Sequence, residues 1–507
     1  MNIKEAKEQI KAAIELYFSK DKYGNYIIPV EAQRPLILIG PPGVGKTFIM
    51  EQVAEEMGVA FDSYSMTTLS RQAVIGLPAI ETKAYGGKEY KATNYTMSEL
   101  VDSIYEIIEK SGCKQGILFL DEINCVAENL DAAMLKLLQY KMLGQHKLPD
   151  GWIIVAAGNP PEYNRSARNF DIVTWDRLRR IDVEPDYDVW KEYAYLSGVH
   201  PAITTYLDIK KHHFYSIETT VTGKPFVTAR GWSDLSALMN GYEQMGEKID
   251  EKLIRQFIQQ DKIAKSFAEY YDLWNKSRSD YNVNNILSGK VTDEVKARVK
   301  AAKFDERLSL IGLMLDAVSG MCHEVYLAEQ SHTELLSALK QVKVLLARPN
   351  CEPAAVLQTC IDAINKRITQ GEEASNMSNE SKKILLMTLD ILYEMRRTLV
   401  TSGITDGTEA FKFIKKSFDK NTNELKRSAA DVRNAMSNMF AFCEEVFREG
   451  QEMLIIVTEL TVNFHTSHFI SRYGCDEYFG NNKELLLYER QKEITIEHEQ
   501  FDLGDLN

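Results

Sequence analysis

The chain has seven cysteines, at 113, 125, 322, 351, 360, 443 and 475. They form no CxxC pair and are odd in number. A zinc knuckle and a disulfide framework are therefore not signalled, and reduced thiols in a cytoplasmic setting are expected. Proline is scarce, 13 in 507 residues, and with 44% hydrophobic and 26% charged residues the composition is that of a globular chain rather than a disordered one. Nowhere do about 18 uncharged apolar residues run together. The greasiest stretch, Met453 to Val457, is stopped by Glu459, so a soluble protein with no membrane partner is expected. Nor is there an excess of positive charge. The net charge is −13, with 27 basic and 34 acidic residues in 1–250 and 33 and 39 in 251–507. The basic face of a nucleic-acid-coating protein is missing from both halves, which disfavours a nucleic-acid partner.

At roughly 150 residues per domain, the length suggests about three domains. The N-terminus places Ile3, Ala6, Ile10, Ile14 and Tyr17 at helical spacing, which reads as part of the fold rather than as a signal peptide. From Pro35 onward, apolar runs without alternation read as strands covered on both faces: PLILIG, VAFDSYS, GILFLDE, WIIVAAGN and RIDVEP. Helical patterns such as MSELVDSIYEIIEKSG and LDAAMLKLLQY lie between them. The expected fold class is α/β with a parallel sheet, and its chemistry should sit at the strand C-terminal ends. After about Pro185 strand signals fade into helices separated by polar breaks at 275–285, 348–353, 370–383 and 401–408. Leu308, Ile311, Leu315 and Val318 recur at helical spacing, as do Leu385, Leu389, Leu392 and Met395, and both sets read as core stripes of a bundle. The last 57 residues, with 4 basic and 11 acidic side chains, read as an acidic face or tail.

Three strand ends carry the chemistry. Gly40-Pro41-Pro42-Gly43-Val44-Gly45-Lys46-Thr47, leading into Phe48, matches the P-loop pattern between a strand and a helix. Its backbone N–H groups and helix N-terminus suit phosphate oxygens, Lys46 suits the β and γ phosphates, and Thr47 suits Mg²⁺. The third strand ends in Asp121-Glu122. These two carboxylates are suited to hold Mg²⁺ (Asp121) and to deprotonate an attacking water (Glu122). The fourth ends in Asn159-Pro160, where the Asn159 amide can hydrogen-bond a γ phosphate or the water. The Asp-Glu pair points to hydrolysis of ATP rather than its storage.

With these motifs in this order, the sequence resembles the AAA+ ATPases, and within them the MoxR-type group. GPPGVGKT resembles Walker A, ILFLDEIN a Walker B variant of that group, and AAGNPPEYN sensor 1. Asp176-Arg177-Leu178 is similar to an arginine-finger segment, with Leu178 where the family has Phe and with Arg179 and Arg180 directly after it. Thr228-Ala229-Arg230-Gly231-Trp232 is similar to a sensor 2 helix start. The resemblance covers roughly residues 1–245. It implies catalytic roles for Glu122, Asn159, Arg177 and Arg230, with Arg165 and Arg168 as further intersubunit candidates. It also implies insertion hairpins near 81–96, turning at Gly86-Gly87, and near 142–151. A homo-oligomeric ring, of hexamer type, is implied as well. So is a chaperone-like action on a protein client, alongside a von Willebrand factor A domain partner.

The resulting division is an α/β core over 1–185, a helical lid over 186–245, and a mostly helical client-binding region over 246–507 that nucleotide binding does not need. Two rivals are a nucleic-acid motor or restriction subunit and a nucleotide-gated scaffold with little turnover. His465, His468 and Cys475 have metal-like spacing without a supporting motif, and the His212-His213 pair is equally bland. Tyr85, Tyr90 and Tyr95 are a candidate grip on a translocated chain or else hairpin packing.

Overall fold

The computed structural model describes residues 1–218, 225–348, 351–447 and 450–482, so the end of the acidic C-terminal segment, from 483 on, and part of the break at 348–353 lie outside the described residues. The chain divides into two compact units. The first comprises Met1–Val189, Thr228–Arg230 and Gln358–Leu389, and the second Trp190–Val227, Gly231–Leu357 and Asp390–Asn507.

In the first unit the order is α1 (Ile3–Phe18), β1 (Leu36–Ile39), α2 (Lys46–Met57), β2 (Ala60–Ser65), α3 (Arg71–Ile75), β3 (Pro78–Tyr85), β4 (Lys88–Tyr95), α4 (Glu99–Ser111) and β5 (Gly116–Asp121). It continues with α5 (Asp131–Tyr140), β6 (Met142–Leu143), β7 (His146–Lys147), β8 (Trp152–Gly158), α6 (Ile172–Trp175) and β9 (Arg179–Asp182). Five strands form one sheet in the order β2-β5-β8-β1-β9, and every pairing is parallel. The expected α/β class is what the structure has. The central strands read as continuous apolar runs because both faces are covered. Ile37, Leu118, Leu120, Ile154 and Ala156 pack into the layer with α4 and α5, and Leu36, Leu38, Ile117, Phe119 and Val155 into the layer with α1 and α2.

Both expected insertions are hairpins. β3 pairs antiparallel with β4 across Gly86 and Gly87, whose φ values of 58° and 81° suit a two-residue turn. β6 pairs with β7. The two hairpins meet where Gln145 Nε2 donates to the Tyr95 carbonyl at 3.3 Å. The three tyrosines do not form one cluster. Tyr85 and Tyr90 share a face, with ring centroids 6.2 Å apart, whereas Tyr95 opposes Pro78 on the other face.

The second unit contains most of α7 (Tyr187–Leu196), α8 (Pro201–Ile209), β10 (Ser216–Ile217), β11 (Phe226–Val227), most of α9 (Ala229–Met245), α10 (Glu251–Ile254), α11 (Asp261–Asp280), α12 (Val283–Leu287) and α13 (Asp293–Ala301). After these come α14 (Phe304–Leu346), the first residues of α15 (Pro353–Glu373), the second half of α16 (Asn379–Thr401), α17 (Gly407–Phe447), α18 (Gln451–Val462) and α19 (Phe464–Tyr473). α14 has the length and apolarity of a membrane span, yet 56% of its most apolar window is buried within the protein. Its neighbours include α8, α11, α12, α17, α18 and α19.

The lid is not a separate body within this unit. Lys191 of α7, 5% exposed, pairs with Asp208 of α8 at 2.7 Å and with Glu459 of α18, which also accepts from Tyr195. Glu243 of α9 accepts from His200 (3.1 Å), Tyr271 (2.8 Å) and Arg278 (2.5 Å), contacts that hold its carboxyl down at about 2. His468 likewise pairs with a carboxylate, Glu329, which Arg472 shares. His213 accepts from or donates to Tyr206 at 2.6 Å.

Most of the residues expected as a lid, 190–227 and 231–245, group with the C-terminal helices in the second unit, while 358–389 group with the core in the first. An apolar stripe shows that a helix is covered but not by what. Here the end of α15 and the start of α16 cover the sheet edge. The Phe61 amide of edge strand β2 donates to the Ala374 carbonyl at 2.9 Å. Glu55 of α2 accepts from the Ser378 amide at 3.0 Å and from Ser381 Oγ at 2.8 Å. A truncation after residue 245 would bare the edge of β2. Glu55→Ala strands two part-buried donors and should lower the stability of the core by about 1–3 kcal/mol. Urea unfolding, together with faster hydrogen exchange across residues 60–65, is the check; unchanged exchange there would show that the connection from α15 to α16 does not secure the edge.

Candidate active site

Strand order brings the three motifs together. β8 lies between β5 and β1, so Asp121-Glu122, Asn159 and the P-loop end side by side at one sheet rim. The loop itself depends on close approaches. A Cβ at Gly40 would lie 2.5 Å from the Val183 carbonyl oxygen, and one at Gly43, where φ is +76°, would lie 2.9 Å from Thr228 Cβ. Gly45 is the N-cap of α2 and brings no side-chain oxygen, so no side chain competes for the N–H groups of the first helical turn. Pro41, Pro42 and Val44 are half-buried along the loop, and Phe48 is 39% exposed just past it.

Lys46 is 8% exposed. Its Nζ donates to the carbonyls of Gly40 and Pro41, both at 2.9 Å, and to Asn159 Oδ1 at 2.8 Å. Burial pulls the ammonium down to about 8, and the like charge of Arg230 adds to this against the pull of Asp121 and Glu122. Arg230 belongs to the same unit as the P-loop, and its Cβ lies 3.4 Å from the position a Cβ on Gly43 would take. Thr47 Oγ1 donates to Asp121 Oδ2 at 2.8 Å, while the Glu122 amide donates to Asp121 Oδ1 at 2.9 Å. A hydroxyl and a carboxylate in contact are an oxygen donor set of the type Mg²⁺ takes, so Thr47 and Asp121 fit the ion.

Glu122 has left-handed backbone dihedrals, φ 54° and ψ 36°. Its Oε2 accepts from Thr67 Oγ1 at 3.0 Å and from Ser65 Oγ at 3.4 Å. Sequence reasoning missed these two hydroxyls, which lie at and just beyond the end of β2. A polar residue at a strand end reads as loop, and only the pairing of β2 with β5 places it against Glu122.

The arginines separate. Arg168 is held within its own chain by Asp131 at 3.0 Å and by the Val126 carbonyl. Arg180 pairs with Asp182 at 2.7 Å and lies over the Trp175 ring. Arg177 donates to the Val173 carbonyl at 2.6 Å and not to any group at the three strand ends. Leu178 beside it is buried in the core. Arg165 and Arg179 are exposed.

The sequence model of the ATPase family associated with various cellular activities (AAA) matches residues 36–175. These residues form an AAA ATPase domain. A domain of this family uses ATP and Mg²⁺, which is the ligand pair the rim of the sheet fits. Over 169 residues the chain is 30% identical to an ATP-dependent zinc metalloprotease FtsH of Lancefieldella parvula, covering 31% of this chain and 22% of that protein. Over 63 residues it is 38% identical to the ATP-dependent zinc metalloprotease FtsH 1 of Sphaerobacter thermophilus, covering 12% of this chain and 9% of that protein. The chain thus spans about a fifth of the first relative and a tenth of the second.

Lys46 supplies a test of the AAA site by pH. Phosphates beside Nζ restore its charge, so above about pH 8 nucleotide binding must take up a proton. ATP affinity should be level below about pH 7 and fall above about pH 8, by at most about tenfold per pH unit. Calorimetric titration in two buffers of different ionisation heat reads the proton uptake directly, and a level affinity through pH 9 would show that Lys46 stays charged without nucleotide.

Proposed function

We propose that this chain hydrolyses ATP with Mg²⁺ at the sheet rim and uses the turnover to remodel a partner protein or complex. The juxtaposition of Lys46 with Asn159 and of Thr47 with Asp121, with Glu122 beside them, is the observation that carries the reading. When bound, Mg²⁺ supplies charge neutralisation across the β and γ phosphates. The residues do the rest. Loop N–H groups and Lys46 bind phosphate, Asn159 orients the terminal phosphate or the water, and Glu122 accepts the water proton once it leaves Thr67. Arg230 adds positive charge next to the P-loop. Arg177 acts from the neighbouring subunit of a homo-oligomeric ring, of hexamer type; that its side chain bonds the Val173 carbonyl rather than any group at the three strand ends of its own chain supports that role.

Within the AAA families we assign the chain to the MoxR-type group. The Asp-Glu-Ile-Asn sequence and the two insertion hairpins support this. Its partner would be a protein client, with a von Willebrand factor A domain protein alongside. The seven free cysteines support a cytoplasmic setting. The peptidase named in the FtsH relatives is not carried over, as these 507 residues contain no HExxH. A nucleic-acid motor is disfavoured by the acidic charge of both halves, and a non-hydrolysing scaffold by Glu122.

Glu122→Gln should keep ATP binding and lower turnover below a tenth of the parent, whereas Lys46→Ala should lose binding. Steady-state phosphate release and nucleotide titration measure both, and faster hydrolysis by Glu122→Gln would remove Glu122 as the base. Arg177→Ala should bind ATP normally and hydrolyse poorly. Rings mixed from Arg177→Ala and Glu122→Gln subunits should recover activity at interfaces that pair an intact Glu122 with an intact Arg177. No recovery in demonstrably mixed rings would shift the role to exposed Arg179 or to action within one chain.

A further inference from the structure

Asn124 lies two residues past Glu122 and is 6% exposed. Its Nδ2 donates to the backbone carbonyl of Asn159 at 2.8 Å. Asn159 is thus gripped at both of its oxygens, the side-chain one by Lys46 Nζ and the backbone one by the Asn124 amide. Fixing the carbonyl fixes the peptide plane that leads into Pro160, and with it the direction in which the Asn159 side chain leaves the backbone. The proline already confines Asn159 to extended dihedrals, so one further contact is enough to set its aim.

The approach requires an empty position on β8. A Cβ on Gly158 would lie 2.6 Å from Asn124 Oδ1 and 3.0 Å from its Cγ. Asn124 also departs from what stability alone selects. Its Oδ1 is buried and has no hydrogen-bond partner among the described residues. An unpaired buried acceptor is costly, and an apolar side chain of similar volume would avoid that cost. The backbone around it is tied as well. The Arg168 amide donates to the Asn124 carbonyl at 2.9 Å, and the Arg168 guanidinium holds Asp131. The loop that follows Asn159 is therefore stitched at both ends to the segment that follows Glu122.

We propose that Asn124 is a positioning residue for Asn159 and that residue 158 is glycine in order to admit it. This rests on the role given above to Asn159 at the terminal phosphate or the water. In the full-length chain, Asn124→Asp keeps the shape of the side chain but removes the Nδ2 donor. It should lower kcat at least tenfold while leaving KM and the affinity for a fluorescent ATP analogue within threefold. Gly158→Ala should reproduce the same split by pushing the amide aside, and the double variant should be no worse than the more severe single, because both act through one contact. An unchanged kcat in Asn124→Asp, a parallel loss of affinity, or multiplying effects in the double variant would overturn the proposal. If the parent chain shows no turnover, the ATPase reading itself fails. The positioning role is then decided by hydrogen exchange: ATP should protect residues 159–168 in the parent and not in Asn124→Asp, and equal protection in both would overturn it.

Discussion

The site is organised around one buried cation. Lys46 places an ammonium at the junction of β1 and β8, held by three neutral oxygens and, among the described residues, by no direct carboxylate partner. Burying a charge in that way is unfavourable unless a counter-charge arrives, and the depressed pKa of Lys46 expresses that cost. A phosphate is the natural counter-charge. The flanking features follow from this constraint. The glycines keep the loop open to phosphate, Thr47 is turned to Asp121, and Glu122 is kept apart from the lysine by the hydroxyls of Thr67 and Ser65.

Much of this was legible in the amino acids, for reasons that mark its limits. The central strands β5, β8 and β1 were readable because strands covered on both faces are apolar at nearly every position, while the edge strands β2 and β9 show only short apolar patches among polar residues. The P-loop, Asp121-Glu122 and Asn159 were readable because each follows such a run. Their adjacency was not, since an apolar run does not name its neighbour. Ser65 and Thr67 were invisible for that reason. The parity of the tyrosines could have been worked out. A two-residue turn at Gly86-Gly87 pairs Tyr85 with Lys88, Lys83 with Tyr90 and Pro78 with Tyr95, which puts Tyr95 on the opposite face.

The arginines show the same division. Five were candidates by position, and of these Arg168 is set apart by a partner distant in sequence, Asp131, 37 residues away, while Arg177 and Arg180 bond within four residues of themselves. The helices were harder still. Glu55 and Ser381 lie 326 residues apart, and no local pattern in either segment announces the other. Binary patterning states how much of a helix is covered, while the identity of the cover depends on tertiary complementarity.

The sheet edge closed by Ala374 has a consequence for how the protein is made. A ribosome releases β2 some three hundred residues before the segment that caps it, so the nascent α/β layer passes through elongation with one strand unsheltered. A nascent chain with a long-deferred contact of this kind folds slowly and offers its open strand to neighbouring chains. Translation speed between residues 65 and 374, and the holding chaperones met on the way, then bear on how much of the protein survives synthesis.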